Sequence, residues 1–358
     1  MTRPPEMKIL LVGDFPPPGG GVATHVEELF RAVRARGGEC EVLDIGKGQL
    51  PAEGVVPAGG VTRFSALLAS RVARGFRIHL HTSAANPKSL ALISVCAAAG
   101  RAAGLPPIIT LHSGLCPAWL AESPARRLLA RAMLRQFGSV IAVNEEIRAA
   151  IGIPEAEVLP AFSAEFLYPG PPPPGLPELR ASSAPLFCAM VSPRPEYGLP
   201  VLLRAFERVR VSLPSAALAL YGTASEDVKA PGVRGFGELF RPQALALIAA
   251  CDVFVRPTLA DGDSVSVREA LALGRVVVAT RVGHRPPEVR LVPPADADAL
   301  AAEMLAAASS ARPVQPVRAP AGDGLPRILS LYGWTPPASR PEAPVRQEAA
   351  PCAASAAS

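Results

Sequence analysis

The chain has 358 residues, and 49% of them are apolar, which is enough to form two domains that each have a core. Its formal net charge of +5 comes from arginines dispersed among acidic residues, so the composition argues against a nucleic-acid partner. The apolar run near the start is too short for a signal peptide, and the apolar stretch at 102–121 contains three prolines. We therefore expect a cytoplasmic protein without a membrane span.

The first half of the chain alternates between apolar runs and amphipathic segments. KILLVG at 8–13 predicts a strand buried on both faces, and VATHVEELFRAVRARGG at 22–38 has apolar residues at helical spacing. ECEVLDIG at 39–46 predicts the next strand, so these segments form a βαβ unit. Three more strands and two helices are predicted, at 76–82, 86–104, 107–113, 123–138 and 139–145.

A proline-rich segment at 163–184 interrupts this alternation, and we expect it to be an extended connector. A second series of four strands and four helices follows it. The sequence therefore predicts an α/β protein with two doubly wound domains. The predicted divisions are an N-terminal domain at 1–165, a linker at 166–184, a C-terminal domain at 185–311 and a Pro/Ala-rich tail at 312–358 with a short helix at 325–334.

Ligands bind at the carboxyl ends of the strands in such sheets, so the loops after the strands are the candidate site. Gly19, Gly20 and Gly21 precede the first helix, where unpaired N–H groups can face an anion or a sugar hydroxyl. A structural turn without a ligand is an equally good interpretation of these glycines.

The stretch TLADGDSVSVREALALG at 258–274 places two acids eight positions apart. Asp261 follows a strand, and Glu269 lies about one turn into the next helix. The helix start offers backbone amides and hydroxyl groups at Ser264, Val265 and Ser266. A solvated turn and helix face would explain an isolated pair of acids, but this arrangement suits a ligand with a central diphosphate and a polyol at each end.

The five histidines lie in or beside strand-exit or helix-entry segments. His79 and His81 share one face of a strand, but no neighbouring residue in the sequence supplies further ligands, so we expect no metal site. His112 follows the strand PIITL, and we expect it to contact the substrate, with a structural histidine as the alternative. The six cysteines show no ligand spacing, and we expect them to stay reduced.

These segments together resemble the retaining glycosyltransferases of the GT-B fold, in the large group called glycosyl transferases group 1 or family 4. RPTLADGDSVSVREALALGRVVVAT at 256–280 is similar to the family pattern of an acid, seven residues and a second acid, with Asp261 in place of the first glutamate. FPPPGGGVATHVEELFRAV and TLHSG resemble the family's glycine-rich opening and strand-exit histidine. The resemblance covers residues 7–310 and implies two Rossmann-like domains that face each other across a cleft.

The resemblance implies transfer of a hexosyl group from a UDP- or GDP-sugar to an acceptor hydroxyl, with retention of configuration and without a metal or another cofactor. Glu269 would bind the ribose, Asp261 would approach the hexose, and His112 would hydrogen-bond the sugar. Two sets of backbone groups would face the sugar and the diphosphate: Gly19, Gly20 and Gly21, and the amides around Val265 and Ser266. The implied acceptor is a glycan or a lipid-linked molecule, in glycan, glycolipid or cell-surface polysaccharide synthesis.

The sequence departs from the family where an arginine and a lysine usually neutralise the diphosphate. Ser192 and Tyr197 occupy those positions, and Arg194 is the cation that we expect to reach the phosphates. The missing charges are the reason for an alternative interpretation beside the transferase, a catalytically weak or silent GT-B protein that binds a nucleotide sugar or a partner transferase. An NAD-dependent oxidoreductase is disfavoured because the GxGxxG fingerprint is absent.

The predicted helix at 123–138 suggests a peripheral membrane contact. Three of its arginines are spaced four residues apart, and apolar side chains lie nearby. The alternative is a helix that packs on its own sheet and has a solvated basic edge. The residues concerned are Arg127, Arg131, Arg135, Leu128, Leu129, Leu134 and Trp119.

Overall fold

The computed structural model describes residues 7–48, 50–223, 225–310 and 323–335. Within them the chain forms two α/β units, each with one parallel sheet, which confirms the predicted fold class. The predicted tail, including Cys352, lies outside the described residues except for 323–335. The cysteines within the described residues are buried and free.

The first sheet contains seven parallel strands. They are β1 (Lys8–Gly13), β2 (Glu39–Asp44), β3 (Val55–Pro57), β4 (Arg77–Thr82), β5 (Ile108–Leu111), β6 (Ser139–Ala142) and β7 (Glu157–Val158). Their order is β3-β2-β1-β4-β5-β6-β7. Alternate residues of β1 belong to different cores, with Leu10 and Val12 in one and Ile9 and Leu11 in the other. Both faces of the sheet are therefore buried, as its continuous apolar runs predict.

Helices cover both faces of this sheet. They are α1 (Gly21–Ala35), α2 (Val61–Ala73), α3 (Pro87–Ala102), α4 (Cys116–Ala121), α5 (Pro124–Leu134) and α6 (Glu145–Ile151). The amphipathic pattern positions α1, because Val26, Leu29 and Val33 lie on its buried stripe. That stripe fixes α1 on the sheet, so the helix start lies beside the end of β1.

The second sheet contains six parallel strands. They are β8 (Leu186–Met190), β9 (Ala217–Tyr221), β10 (Val233–Gly235), β11 (Val253–Arg256), β12 (Val276–Thr280) and β13 (Arg290–Val292). Their order is β10-β9-β8-β11-β12-β13. The accompanying helices are α7 (Leu176–Ser182), α8 (Leu199–Ser212), α9 (Arg241–Ala250), α10 (Val265–Ala272) and α11 (Ala297–Ser310).

The helix α7 lies inside the segment that the sequence predicts as an extended linker. Leu176 is buried in a core of the second unit, and Pro177 lies in the first turn, where a missing N–H group costs no helical hydrogen bond. The prediction of an extended connector at 166–184 is therefore wrong for residues 176–182, because burial of Leu176 favours a helix there.

The last described helix, α12 (Leu325–Leu331), falls within the predicted helix at 325–334 and packs on the first sheet. Leu325, Ile328 and Tyr332 are buried there, and the Nε atom of Arg327 lies 2.6 Å from a carboxylate oxygen of Glu157. The chain thus returns to the first unit after completing the second. In the described part of the chain no helix has the length and apolar character needed to cross a membrane.

Candidate functional site

A cavity of about 1070 Å³ lies between the two units, where residues that follow β1, β4, β5, β8, β9 and β11 meet. All ten residues that the sequence predicts as a site line it, which agrees with the rule that ligands bind at carboxyl ends of parallel strands. They are Gly19, Gly20, Gly21, His112, Arg194, Asp261, Ser264, Val265, Ser266 and Glu269. The structure brings these residues together, and the roles assigned to them stay predictions.

Two helix starts face each other across the cavity. The helix α1 begins at Gly21, and an added Cβ on this residue would lie 3.6 Å from the side chain of Val265, where α10 begins. An added Cβ on Gly20 would meet no atom within 4 Å, so the space beside it is open. Neither start has a side-chain cap. The amides at both starts are therefore available to an anion.

The two units also touch directly around the cavity. The Gly19 amide donates a 2.6 Å hydrogen bond to Glu238 Oε1, and Asn144 Nδ2 donates a 2.9 Å bond to the Gly262 carbonyl oxygen. Both bonds connect the first unit to the second. The two units that form the walls of the cavity are therefore in direct contact beside it.

The predicted ribose ligand Glu269 shares one guanidinium group with Glu28 of α1. Arg241 donates from Nε to Glu269 Oε1 at 3.0 Å and from Nη2 to Glu28 Oε1 at 2.6 Å. Among the described residues, Glu28 Oε2 has no hydrogen-bond partner. Two buried carboxylates therefore compete for one positive charge.

Burial raises the pKa of Glu28 to about 8, although the charge of Arg241 opposes this shift. Glu269 and Asp323 add to the shift by their negative charges. Burial also raises the pKa of Glu269, against the charge of and the hydrogen bond from Arg241. A proton on Glu28 leaves the positive charge of Arg241 to Glu269, which favours the carboxylate form of Glu269.

We expect Glu28 to make the folded state less stable as pH rises. Its folded pKa of about 8 lies above the ordinary value of 4.5, so the stability is fully present below pH 4.5 and is lost as pH rises through 8. Glu28→Gln keeps a neutral side chain at every pH. Its thermal midpoint should match that of the wild type near pH 5 and exceed it by several degrees near pH 9.

Thermal scans across that range check this expectation. The control is Glu27→Gln on the same helix, which removes a carboxylate paired with Arg31 near the surface and should change the midpoint little. A constant difference between Glu28→Gln and the wild type at every pH would contradict the raised pKa.

The carboxylate of Asp261 is fully engaged by protein groups. Its Oδ2 accepts hydrogen bonds from Arg256 Nε at 3.2 Å, Arg285 Nη2 at 3.0 Å and Thr258 Oγ1 at 3.3 Å. Its Oδ1 accepts from the Gly262 amide at 3.1 Å. Burial favours the protonated acid, but the two guanidinium groups outweigh it and hold the pKa of Asp261 below its ordinary value. Asp261 therefore pairs with two arginines, and one carboxylate offsets only one of their two positive charges.

Comparison with protein families gives one match for each unit. Residues 184–310 match the family described as glycosyl transferases group 1, and residues 19–152 match glycosyltransferase family 4. The chain belongs to the glycosyltransferases of group 1 and family 4. A search of the curated proteins found no match.

Solved structures share the fold at low sequence identity. Trehalose-6-phosphate synthase OtsA is 15% identical, with a TM-score of 0.64 over 91% of this chain and 96% of that chain. Sucrose-phosphate synthase from Thermosynechococcus elongatus is 18% identical, with a TM-score of 0.64 over 91% and 95%. HepE from Anabaena, in complex with UDP and glucose, is 17% identical, with a TM-score of 0.59 over the same shares. These likenesses show that the fold is GT-B.

This glycosyltransferase has an arginine, Arg256, beside Tyr197, at the position where the family resemblance implies a lysine. The guanidinium carbon of Arg256 lies 4.9 Å from the ring centre of Tyr197, which occupies the lysine position. Arg256 is the last residue of β11 and lines the cavity with 8% of its side chain exposed. Burial disfavours its charge, but Asp261 outweighs this and raises the pKa of Arg256. Arg194 also lines the cavity and is exposed.

Sequence reasoning missed Arg256, Arg241 and Glu28. The position of Arg256 at the end of an apolar strand, five residues before the acid, is a signal that could have identified it. Nothing local could identify the link from Glu28 to Arg241, because it joins residues 213 apart in different units.

The histidines are closer together than the sequence predicts. His112 follows β5, and its Nε2 lies 3.1 Å from Nδ1 of His81 on β4. His25 of α1 packs against both, with ring centroids 5.3 Å from His81 and 5.4 Å from His112. The expectation that nothing near His79 and His81 supplies further ligands is therefore wrong, because parallel packing brings α1 and β5 beside β4.

Proposed function

We propose that this glycosyltransferase moves a hexosyl group from a UDP- or GDP-sugar to an acceptor hydroxyl with retention of anomeric configuration. The observation that carries the proposal is that two uncapped helix starts, the buried carboxylate of Glu269 and the guanidinium of Arg256 converge on one cavity. A nucleotide sugar has a polyol at each end and a diphosphate between them. The cavity offers a carboxylate for one polyol and amides and cations for the diphosphate.

The donor would lie along this cavity with its ribose at Glu269. The amides at the start of α10, together with Arg256 and Arg194, would neutralise the diphosphate, so the reaction would need no metal ion. The hexose would then reach the glycine loop and His112. The structural neighbours in complex with UDP and glucose and with UDP-2-fluoro glucose support testing UDP-sugars first.

The state of Asp261 supports transfer without a covalent sugar intermediate. Both of its oxygens are occupied by protein donors, so it is not a free nucleophile. The acceptor hydroxyl would attack from the side of the leaving diphosphate, and an oxygen of the diphosphate would take its proton. Amides and guanidinium groups stabilise the negative charge that develops on that leaving group.

A panel of UDP-sugars, GDP-sugars, free nucleotides and NAD tests this function by thermal shift and by nucleotide release. We expect one donor to raise the midpoint most, because a ligand at 100 times its Kd stabilises the folded state by about 2.7 kcal/mol. NAD should have no effect. A shift without release of nucleotide, in the presence of sugar or lipid acceptors, would contradict the transferase and favour a silent binding protein. No shift with any compound in folded protein would contradict donor binding.

The surface of α5 supports a lipid-linked acceptor at the cytoplasmic face of a membrane. Leu128 and Leu129 are 69% and 50% exposed, and Arg127 and Arg135 are exposed near them. Leu134 is buried in the core of its own unit, so it cannot belong to such a surface as the sequence suggests. We propose that Arg127, Leu128, Leu129 and Arg135 contact anionic lipid.

Flotation with anionic vesicles checks this contact. The wild type should float with the vesicles at low salt, and a variant with Arg127→Glu, Leu128→Glu and Arg135→Glu should stay in the soluble fraction. The matched control changes Arg204→Glu and Val211→Glu, which lie on the exposed side of α8 in the other unit. Equal recovery of all three proteins in either fraction would rule out this surface.

A further inference from the structure

Three histidines from separate elements meet beneath the cavity. They are His25 of α1, His81 of β4 and His112 after β5, and one ring nitrogen of each lies within 4.8 Å of those of the other two. His25 and His81 are 4% and 1% exposed. His81 and His112 line the cavity, so the cluster has an opening to solvent on that side.

Within the described residues a hydrogen bond joins His81 Nδ1 and His112 Nε2, but it does not account for every nitrogen of these rings. His25 Nδ1 and His81 Nε2 are buried and have no partner. A buried polar atom without a partner costs free energy, so each such atom requires an explanation. The neighbouring His79 differs, because its ring nitrogens contact Tyr332 Oη and Thr110 Oγ1, at 2.5 and 2.8 Å. His79 is therefore satisfied by the protein.

The three rings are in the form that binds metals. Burial lowers the pKa of His25 to about 3 and holds the pKa values of His81 and His112 well below the ordinary value. Neutral imidazole has a free lone pair on one nitrogen, and a metal site requires that deprotonated form.

We propose that His25, His81 and His112 bind one divalent transition-metal ion of the zinc type, with a fourth position open to the cavity. His81 Nδ1 and His112 Nε2 are 3.1 Å apart and share a hydrogen bond, which the ion would replace, so His25 Nδ1 is the unpartnered atom that the ion would bind. Two imidazole nitrogens on a tetrahedral zinc ion, each at 2.0–2.1 Å from the metal, are separated by about 3.3 Å. Three histidines with an open fourth position also suit zinc better than calcium or magnesium, which prefer oxygen ligands.

Such an ion would inhibit transfer, and this consequence rests on the proposed function. His112 cannot give the same nitrogen to zinc and to the donor sugar. The open position also points into the space where the hexose would lie. Zinc and the donor would therefore compete for the cavity.

Titration of tag-free protein with Zn²⁺ against a chromogenic chelator tests the site, in a Cys352→Ser background that removes the thiol outside the described residues. We expect one ion per chain and a loss of affinity of at least about 100-fold in His25→Gln. The control is His284→Gln. His284 is the histidine that lies apart from His25, His79, His81 and His112, so this variant should bind zinc like the wild type. Equal affinity in His25→Gln, or no binding by folded wild type, would overturn the proposal.

Two measurements on the wild type keep the test independent of how the variant folds. Co²⁺ should give the intense visible absorption of a four-coordinate ion, and a weak octahedral spectrum would overturn the geometry. In protein labelled with ¹⁵N-histidine, Zn²⁺ should shift the ring signals of three of the five histidines. Shifts confined to other histidines would also overturn it.

Competition between zinc and the donor is measured separately from zinc binding. Saturating Zn²⁺ should raise the apparent Kd of the donor at least tenfold. Zinc binding with an unchanged donor Kd would contradict the proposal that the open position of the ion faces the space of the sugar. If no donor binds at all, the proposed function fails while the chelator titration still decides the metal site.

Discussion

Glu269→Gln should weaken binding of the nucleotide-sugar donor by about 10- to 100-fold, because a charged acceptor is worth about 1.5–3 kcal/mol per hydrogen bond. The carboxylate lies in the wall of the cavity and can accept bonds from two ribose hydroxyls. Glutamine has nearly the same shape but no charge. Calorimetric titration with the donor found by the panel measures the change, and the donor should raise the thermal midpoint of the variant less than that of the wild type.

Glu28→Gln is the matched control for this variant. The variant loses the other carboxyl group that contacts Arg241, and residue 28 does not line the cavity. Its donor Kd should remain within about threefold of the wild-type value. The free energy of such a change is smaller than that of one hydrogen bond to a charged group. Similar losses in both variants would mean that the Arg241 network, and not a bond to ribose, sets the affinity. An unchanged Kd in Glu269→Gln would contradict the assignment of Glu269.

Arg256→Gln should lower kcat by about 100- to 1000-fold, the loss typical of removing one group that stabilises developing negative charge. Arg256 is the buried cation in the cavity that lies beside Tyr197, where the family has a lysine. The expected effect is on kcat more than on KM because the charge on the diphosphate increases as the sugar departs. Nucleotide release under saturating donor measures it.

Arg285→Gln separates this role from support of the Asp261 turn. Arg285 donates to the same Asp261 oxygen as Arg256 but is not in the cavity wall. Its kcat should fall by less than about tenfold, well below the loss from removing a transition-state contact. Equal losses of kcat in the two variants would show that both arginines act through the position of Asp261. Thermal scans of both proteins establish that each is folded.

The fold was predictable because its strands are buried on both faces and therefore appear as continuous apolar runs. The helix α2 was missed, although Phe64, Leu68 and Val72 recur at the spacing of a buried helical stripe. The strand β3 has only three residues and gives no periodic signal. Helix α7 was hidden by the prolines around it, since a proline-rich composition favours extended chain.

The residues of the site were predictable where they come soon after the end of a strand in the sequence. Glu269, His112 and the glycine loop all line the cavity because they follow strands whose carboxyl ends meet there. Contacts between units could not be predicted, since the approach of Arg241 to Glu28 depends on how two separate sheets pack. The same limit applies to His25, whose approach to His81 depends on the rotation of α1.

The most direct test of the proposed reaction is ¹H NMR of the anomeric proton in the first product formed from an α-linked donor. Water can serve as a slow acceptor, so the measurement needs no identified acceptor. The proposed mechanism predicts that the α-anomer appears first and that mutarotation forms the β-anomer afterwards. Initial formation of the β-anomer would contradict retention. Absence of any released or transferred sugar, with a donor shown to bind and with sugar or lipid acceptors present, would contradict the transferase itself.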